Sequence, residues 1–145
     1  MDARGVLLAG GKGTRLGRLT CVTNKHLLPV AYQPMIYYPL EKLSAAGVKE
    51  IMVVSGTEHM GGFLELLGSG KNNGVELTYR VQDEAGGIAQ ALGLASRFCK
   101  DSLSVVLLGD NIFHDPIDQL VKDAKVCPDF AWIVLKEVDE PRHFG

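Results

Sequence analysis

Gly10, Gly11 and Gly13 alternate with Lys12, Thr14 and Arg15, and Arg18 and Lys25 follow closely. Glycine allows backbone N–H groups to approach a ligand with no Cβ in the way, and cations beside such a loop supply the matching charge. The combination suits an anion, above all a phosphate. A bare Gly-Gly turn serves tight strand-to-helix packing equally well; Thr14 and Arg15 behind the glycines favour the phosphate. Two familiar phosphate motifs are excluded. Walker A needs Ser or Thr after its lysine, but Gly13 follows Lys12. The dinucleotide fingerprint needs a third glycine where Leu16 stands.

Other polar residues stand directly after apolar runs. Gln82 and Asp83 follow VELTYRV, and Gly109-Asp110-Asn111 follows LSVVLL. An isolated Asp in that position is often only a turn residue, and Gln82 alone reads better as a solvated loop residue than as a ligand contact.

The elements that must position these residues alternate. Residues 4–9, 49–55, 75–81, 103–108 and 130–138 read as strands, with 103–108 the most buried in character. Between them, 34–47 reads as a helix opened by Pro34, kinked or shortened at Pro39 and closed by Gly47. Tyr37 and Tyr38 within it are expected to pack rather than bind. A second helix covers EHMGGFLELLG, weakened by Gly61 and Gly62. A third covers 87–98, with Ile88, Leu92 and Ala95 as its apolar face. The fourth, DPIDQLVKDAK, has Asp115 and Pro116 as N-cap and first residue. This alternation predicts an α/β fold with right-handed crossovers and a doubly wound, mostly parallel sheet. In such sheets ligands bind beyond the carboxyl ends of the strands. Those ends carry Gly10-Gly11, Ser55-Gly56, Gln82-Asp83 and Gly109-Asp110.

Length and composition bound the function. A chain of 145 residues fits one domain and can bury about two-thirds of its unfolded surface. A net charge of −2 gives no overall positive field for nucleic acid or anionic lipid. Neither partner is expected. Cys21, Cys99 and Cys127 lack metal-ligand spacing, which points to free thiols in a reducing compartment. No signal-peptide pattern or transmembrane span is visible, so a cytoplasmic, soluble protein is expected.

LAGGKGTRL followed by NKHLLPV resembles the signature of the sugar-1-phosphate nucleotidyltransferases. PMIYYPL, VVSGTEHMGGFLELLGSG, QDEAGGIAQAL and LLGDNIF look like the corresponding stretches of the glucose-1-phosphate thymidylyltransferases within that family. The resemblance runs from Arg4 to Gly145. It implies a Rossmann-like sheet of the nucleotide-diphospho-sugar transferase type, with dTTP and glucose-1-phosphate as substrates and Mg²⁺ as cofactor.

Carried over position by position, the resemblance makes Arg15 and Lys25 the catalytic cations on the phosphates. Leu8, Gly10, Gly11, Gly13, Thr14, Gln82, Gly87 and Asp110 join them around the nucleotide, and Asp110 is the metal ligand. Gln82 would read thymine, since an amide can donate and accept side by side against N3–H and O4. Gly86 and Gly87 let the backbone approach the base. Asn111 and Gly145 match sugar-contacting positions. His26 stands where many members have Gln. None of His26, His59, His114 and His143 is assigned a proton-transfer role. A phosphate monoester, with a second pKa of about 6, is largely a dianion at neutral pH and needs no base. The implied reaction is in-line attack on the α-phosphorus of dTTP, catalysed by alignment and charge neutralisation.

The family's chains are considerably longer. Residues 1–145 are therefore expected to be the N-terminal, nucleotide-binding part of a nucleotidyltransferase domain. The rest of the sugar pocket and a second metal-binding Asp would lie beyond Gly145, and this chain alone is expected to be inactive or weakly active. Two alternatives stay open: a module that binds dTTP or UTP without turnover, and a uridylyltransferase of the same family. A homo-oligomer is expected, because apolar surface left uncovered drives association.

Overall fold

The computed structural model describes residues 1–11, 13, 16–18 and 23–140. Lys12, Thr14, Arg15, Cys21, His143 and Gly145, singled out above, lie outside the described residues.

The first strand, β1 (Ala3–Leu8), is central and apolar because both of its faces are covered. Leu7 and Ala9 face one core with Leu40, Leu43, Ile51, Phe63 and Val121, while Val6 and Leu8 face a second with Val54, Ala91 and Ala95. β4 (Glu50–Gly56) pairs with one side of β1, and β6 (Leu103–Leu108) pairs with the other. β5 (Glu76–Gln82) pairs with the far side of β4. Every pairing in this sheet is parallel, and the order is β5-β4-β1-β6. Successive strands run outward from β1 through β4 to β5, and the chain then returns to the opposite side of β1. The doubly wound arrangement is thus present, with its switch point between β1 and β6.

α1 (Tyr37–Ala45) and α2 (Met60–Leu67) pack on the first face, joined by α4 (Asp118–Val126) through Val121. α3 (Gly87–Leu94) covers the second. Gly47 ends α1 at φ +79°, where the left-handed conformation lets its N–H reach Ser44 O at 3.0 Å and Val48 N reach Leu43 O at 3.0 Å.

Several sequence expectations are corrected. Pro34 does not open α1. It pairs in a small antiparallel hairpin, β2 (Pro29–Val30) with β3 (Gln33–Pro34). The helix begins at Tyr37, so Pro39 falls in the first turn, where a missing N–H costs nothing and no kink is needed. Tyr37 and Tyr38 pack as expected and also donate to Leu66 O and Val30 O.

The sheet-facing residues are Ala91 in α3 and Ala95 at its C-terminal cap, whose small side chains allow close approach; Ile88 and Leu92 are exposed. α4 starts after Asp115 and Pro116, with Ile117 as its cap residue, and Lys42 Nζ takes the carbonyls of His114 and Asp115. β6 is only half-buried, because among the described residues it lies at the sheet's edge and pairs on one side. Residues 131–138 form no strand. A cavity of about 690 Å³, lined by β6, α4 and residues 130–134, separates the segment from β6, so its backbone finds no ladder. Four of the five expected strands therefore form the sheet.

Candidate functional site

A second cavity, of about 280 Å³, opens at the carboxyl ends of the strands. Leu8, Gly10 and Gly11 line it from the end of β1, and Leu108 and Asp110 from the end of β6. Gln82 comes from β5, Gly87, Ile88 and Ala91 from α3, and Lys25 and His26 from the turn before the hairpin. Its size is near the lower bound for a small-molecule pocket. Three of the four strand ends meet here. The fourth, Ser55-Gly56, works underneath: Ser55 is buried and its hydroxyl donates to Ala9 O at 3.3 Å.

The two glycines after β1 stand where side chains have to pass. Gln82 lies two strands away from β1, roughly 10 Å at normal strand spacing. It still reaches across, and a Cβ on Gly10 would lie 2.6 Å from Gln82 Oε1 and 4.0 Å from Gly56 N. A Cβ on Gly11 would meet Lys25 Cε at 3.3 Å. Side chains at either position would occupy the space these polar groups use.

Lys25 belongs to a short 3-10 turn, Lys25–Leu27, tied to β1 by Asn24. The buried Asn24 side chain donates from Nδ2 to Ala9 O at 3.1 Å, and its Oδ1 accepts from His26 N at 2.9 Å. The His26 ring also meets Asn24 Oδ1 through Nδ1. An amide oxygen can only accept, so Nδ1 carries the proton and Nε2 is bare. Burial, reinforced by the charge of Lys25 and opposed by that of Asp110, lowers the His26 pKa to about 4. At neutral pH the ring is therefore neutral. It wedges against Gly109, where a Cβ would lie 2.7 Å from His26 Cδ2. His26 thus fills and holds, and no proton transfer is assigned to it.

Lys25 Nζ forms an ion pair with Asp110 Oδ2 across the switch point. Desolvation is the largest influence on Asp110 and works against its charge. The hydrogen bond and charge of Lys25 together outweigh it and hold the carboxyl below the usual value. On the opposite wall, Gln82 Nε2 donates to Gln90 Oε1 at 2.6 Å and to Gly87 O at 3.4 Å.

Of the residues singled out in the sequence, Leu8, Gly10, Gly11, Lys25, Gln82, Gly87 and Asp110 share this cavity. Gly13 is described, with φ +61°, but is not among the residues lining it. Asn111 is exposed and lines the larger cavity beside β6 and α4 instead. Asn24, His26 and Gln90 escaped the sequence reading as parts of the site. Asn24 and His26 flank Lys25, and that adjacency was the available signal. Gln90 offered none, since its partner lies in another element.

A nucleotidyl transferase family model matches residues 4–145. The chain is 39% identical over 143 residues to the glucose-1-phosphate thymidylyltransferase of Neisseria meningitidis, covering 98% of this chain and 50% of that protein. A Bacillus anthracis protein, provisionally named a glucose-1-phosphate thymidylyltransferase and crystallised with a sucrose, superimposes with a TM-score of 0.84. It is 52% identical, over 86% of this chain and 51% of its own. A UDP-glucose pyrophosphorylase crystallised with UDP-glucose shares the fold, with a TM-score of 0.73 at 22% identity over 88% of this chain and 55% of its own. This chain spans about half the length of the curated relatives it matches.

Proposed function

The chain belongs to the nucleotidyl transferase family, and from that premise we propose that its switch-point cavity holds dTTP for thymidylyl transfer to glucose-1-phosphate. The observation that carries the proposal is the convergence, on one cavity, of a glycine strand end, a cation, a buried amide and one carboxylate. Gly10-Gly11 and Lys25 suit the phosphates, joined by Thr14 and Arg15 of the same loop. Gln82 suits the base. Residues 1–145 are then the nucleotide-holding part of a nucleotidyltransferase domain.

In the proposed reaction an oxygen of the sugar phosphate attacks the α-phosphorus. A new P–O bond forms as the bond to the β-phosphate oxygen breaks, and pyrophosphate leaves. The attacking dianion needs no base, which agrees with a site whose histidine is buried and neutral. What the chain contributes is placement and charge: Lys25 neutralises phosphate oxygens, and the fixed backbone at Gly10-Gly11 orients them. Asn111 and Gly145 are proposed on the sugar side.

Nucleotidyl transferases generally use a divalent metal, and Mg²⁺ is the ion proposed here. Asp110 is the one carboxylate among the described residues lining the cavity. No group of three or more His, Cys, Asp or Glu side chains gathers among the described residues. That suits an ion held mainly by triphosphate and water, with Asp110 as its protein ligand. When bound, the ion supplies further charge neutralisation. The free thiols of Cys99 and Cys127 fit a cytoplasmic setting. No described helix is long and apolar enough to cross a membrane.

Calorimetric titration with dTTP, UTP, ATP and GTP tests the proposal. Both pyrimidine nucleotides should bind more tightly than the purines, with UTP accepted because uracil presents the same edge to Gln82. Equal or tighter purine binding would overturn the reading.

A further inference from the structure

Gln90, the fourth residue of α3, is exposed and does not line the cavity. Its amide oxygen nevertheless accepts twice, from Gln82 Nε2 at 2.6 Å and from the backbone N–H of Gly86 at 3.3 Å. Gln82 Nε2 also donates to the backbone carbonyl of Gly87, at 3.4 Å. The ends of this chain of contacts are backbone groups with fixed roles, because an N–H can only donate and a carbonyl can only accept. Turning the Gln90 amide over would set its NH₂ against the Gly86 N–H. Turning the Gln82 amide over would set its oxygen against two acceptors. Both rotations are disfavoured, so the polarity runs one way. The Gly86 N–H, shared with Glu84 O at 2.8 Å, favours an oxygen from Gln90, and Gln90 with Gly87 orients Gln82. Gln82 Oε1 is left on the Gly10 side of the cavity, 2.6 Å from the Cβ that Gly10 lacks.

We infer that Gln90 is a positioning residue that makes Gln82 present an acceptor, and not a donor, to the base. The donor half of the Gln82 amide is engaged within the protein, so the side-by-side pairing expected from the sequence reduces to one contact. An acceptor at that edge pairs with the N3–H of thymine or uracil. It repels cytosine, whose N3 is itself an acceptor. A freely rotating glutamine would present its NH₂ to cytosine and lose the distinction. The inference rests on the reading that this cavity takes a pyrimidine nucleoside triphosphate, and it adds the origin of discrimination against cytosine.

The two contacts of Gln90 use only its oxygen, which defines the test. Gln90→Glu keeps an acceptor at that place, whereas Gln90→Leu removes it. Affinities of the unmodified chain and both variants for dTTP and dCTP are measured by calorimetry, with circular dichroism on each protein. The unmodified chain should prefer dTTP. In Gln90→Leu the preference should fall about tenfold, the size of one hydrogen bond's discrimination, with dCTP binding more tightly than before. Gln90→Glu should retain the original ratio. General damage to the site would weaken both nucleotides and could not strengthen dCTP. An unchanged ratio in Gln90→Leu, equal loss of both nucleotides, or a ratio in Gln90→Glu that falls as far as in Gln90→Leu would overturn the positioning role. If the unmodified chain itself fails to distinguish dTTP from dCTP, the base-reading role of the cavity is what fails.

Discussion

Lys25 and Asp110 stand 85 residues apart in sequence and meet as an ion pair at the switch point between β1 and β6. Each occupies the place its own proposed ligand would take, phosphate beside the cation and a metal ion beside the carboxylate. Without ligand they satisfy each other. On the proposed function, triphosphate would draw Lys25 away and a divalent ion would draw Asp110.

That competition gives opposite expectations for the two partners. Lys25→Ala should weaken dTTP binding at least tenfold, since a charged hydrogen bond is worth about 1.5–3 kcal/mol. Arg15→Ala should act in the same direction. Unchanged affinity in both, with normal circular dichroism, would move the phosphates elsewhere.

Asp110→Asn should bind dTTP without metal at least as tightly as the unmodified chain, because Lys25 is released. It should gain little when Mg²⁺ is added. Titrations with and without Mg²⁺ check this, and an undiminished Mg²⁺ response in Asp110→Asn would exclude Asp110 as the ligand.

Gly10→Ala places a Cβ 2.6 Å from Gln82 Oε1 and should push the amide off its position. The expected result is at least a tenfold loss of dTTP affinity, with thermal stability lowered by no more than about 1–3 kcal/mol of overpacking strain. Full affinity would show that Gln82 is not the group the glycine makes room for.

His26 should write a pH dependence into stability. Its ordinary pKa is 6.5 and in the folded chain it is about 4. Between those values the unfolded chain binds more protons, so stability falls as pH drops from 6.5 to 4 and the effect is constant below that. The size is at most about 3–4 kcal/mol. Urea unfolding at several pH values, beside His26→Gln, tests it. An equal slope in the variant would assign the effect to other groups.

The segment after α4 should make the chain sticky. Phe130, Ile133, Val134 and Leu135 are 71–86% exposed, and the outer edge of β6 is unpaired among the described residues. Concentration-dependent self-association is expected in sedimentation velocity, relieved by Ile133→Lys with Leu135→Lys. A monomer at all concentrations would contradict it.

The four strands β1, β4, β5 and β6 were legible to within a residue, because apolar or alternating runs bounded by turn residues announce themselves in short stretches. Segment 130–138 has the same apolar character and forms no strand, because a strand needs a neighbouring backbone as well as apolar residues. Pro34 and Asp115-Pro116 misled for a related reason: each is a good helix opener locally, but pairing with Pro29 and the reach of Lys42 decide otherwise. At the site, position alone placed Gly10, Gly11, Gln82 and Asp110 at the strand ends that line the cavity, while the roles of Gln82 and Asp110 rested on the resemblance. The Asn24–His26 clamp and the Gln82–Gln90 contact depend on which loops meet, information a linear pattern does not hold.

The strand order also sets a timetable. β1 is made before either of its neighbours: Leu8 pairs with Val54 on one side and with Leu108 on the other. At ordinary ribosomal speeds of about 5–20 residues per second, the first strand and its glycine loop wait on the order of 5–20 s for β6. Asp110 follows β6 directly, so the Lys25 ion pair is closed by the same event that pairs β6 with β1. The cavity is thus closed only once β6 has been made. Slippage of β6 alone would dismantle it while β1, β4 and β5 stayed paired.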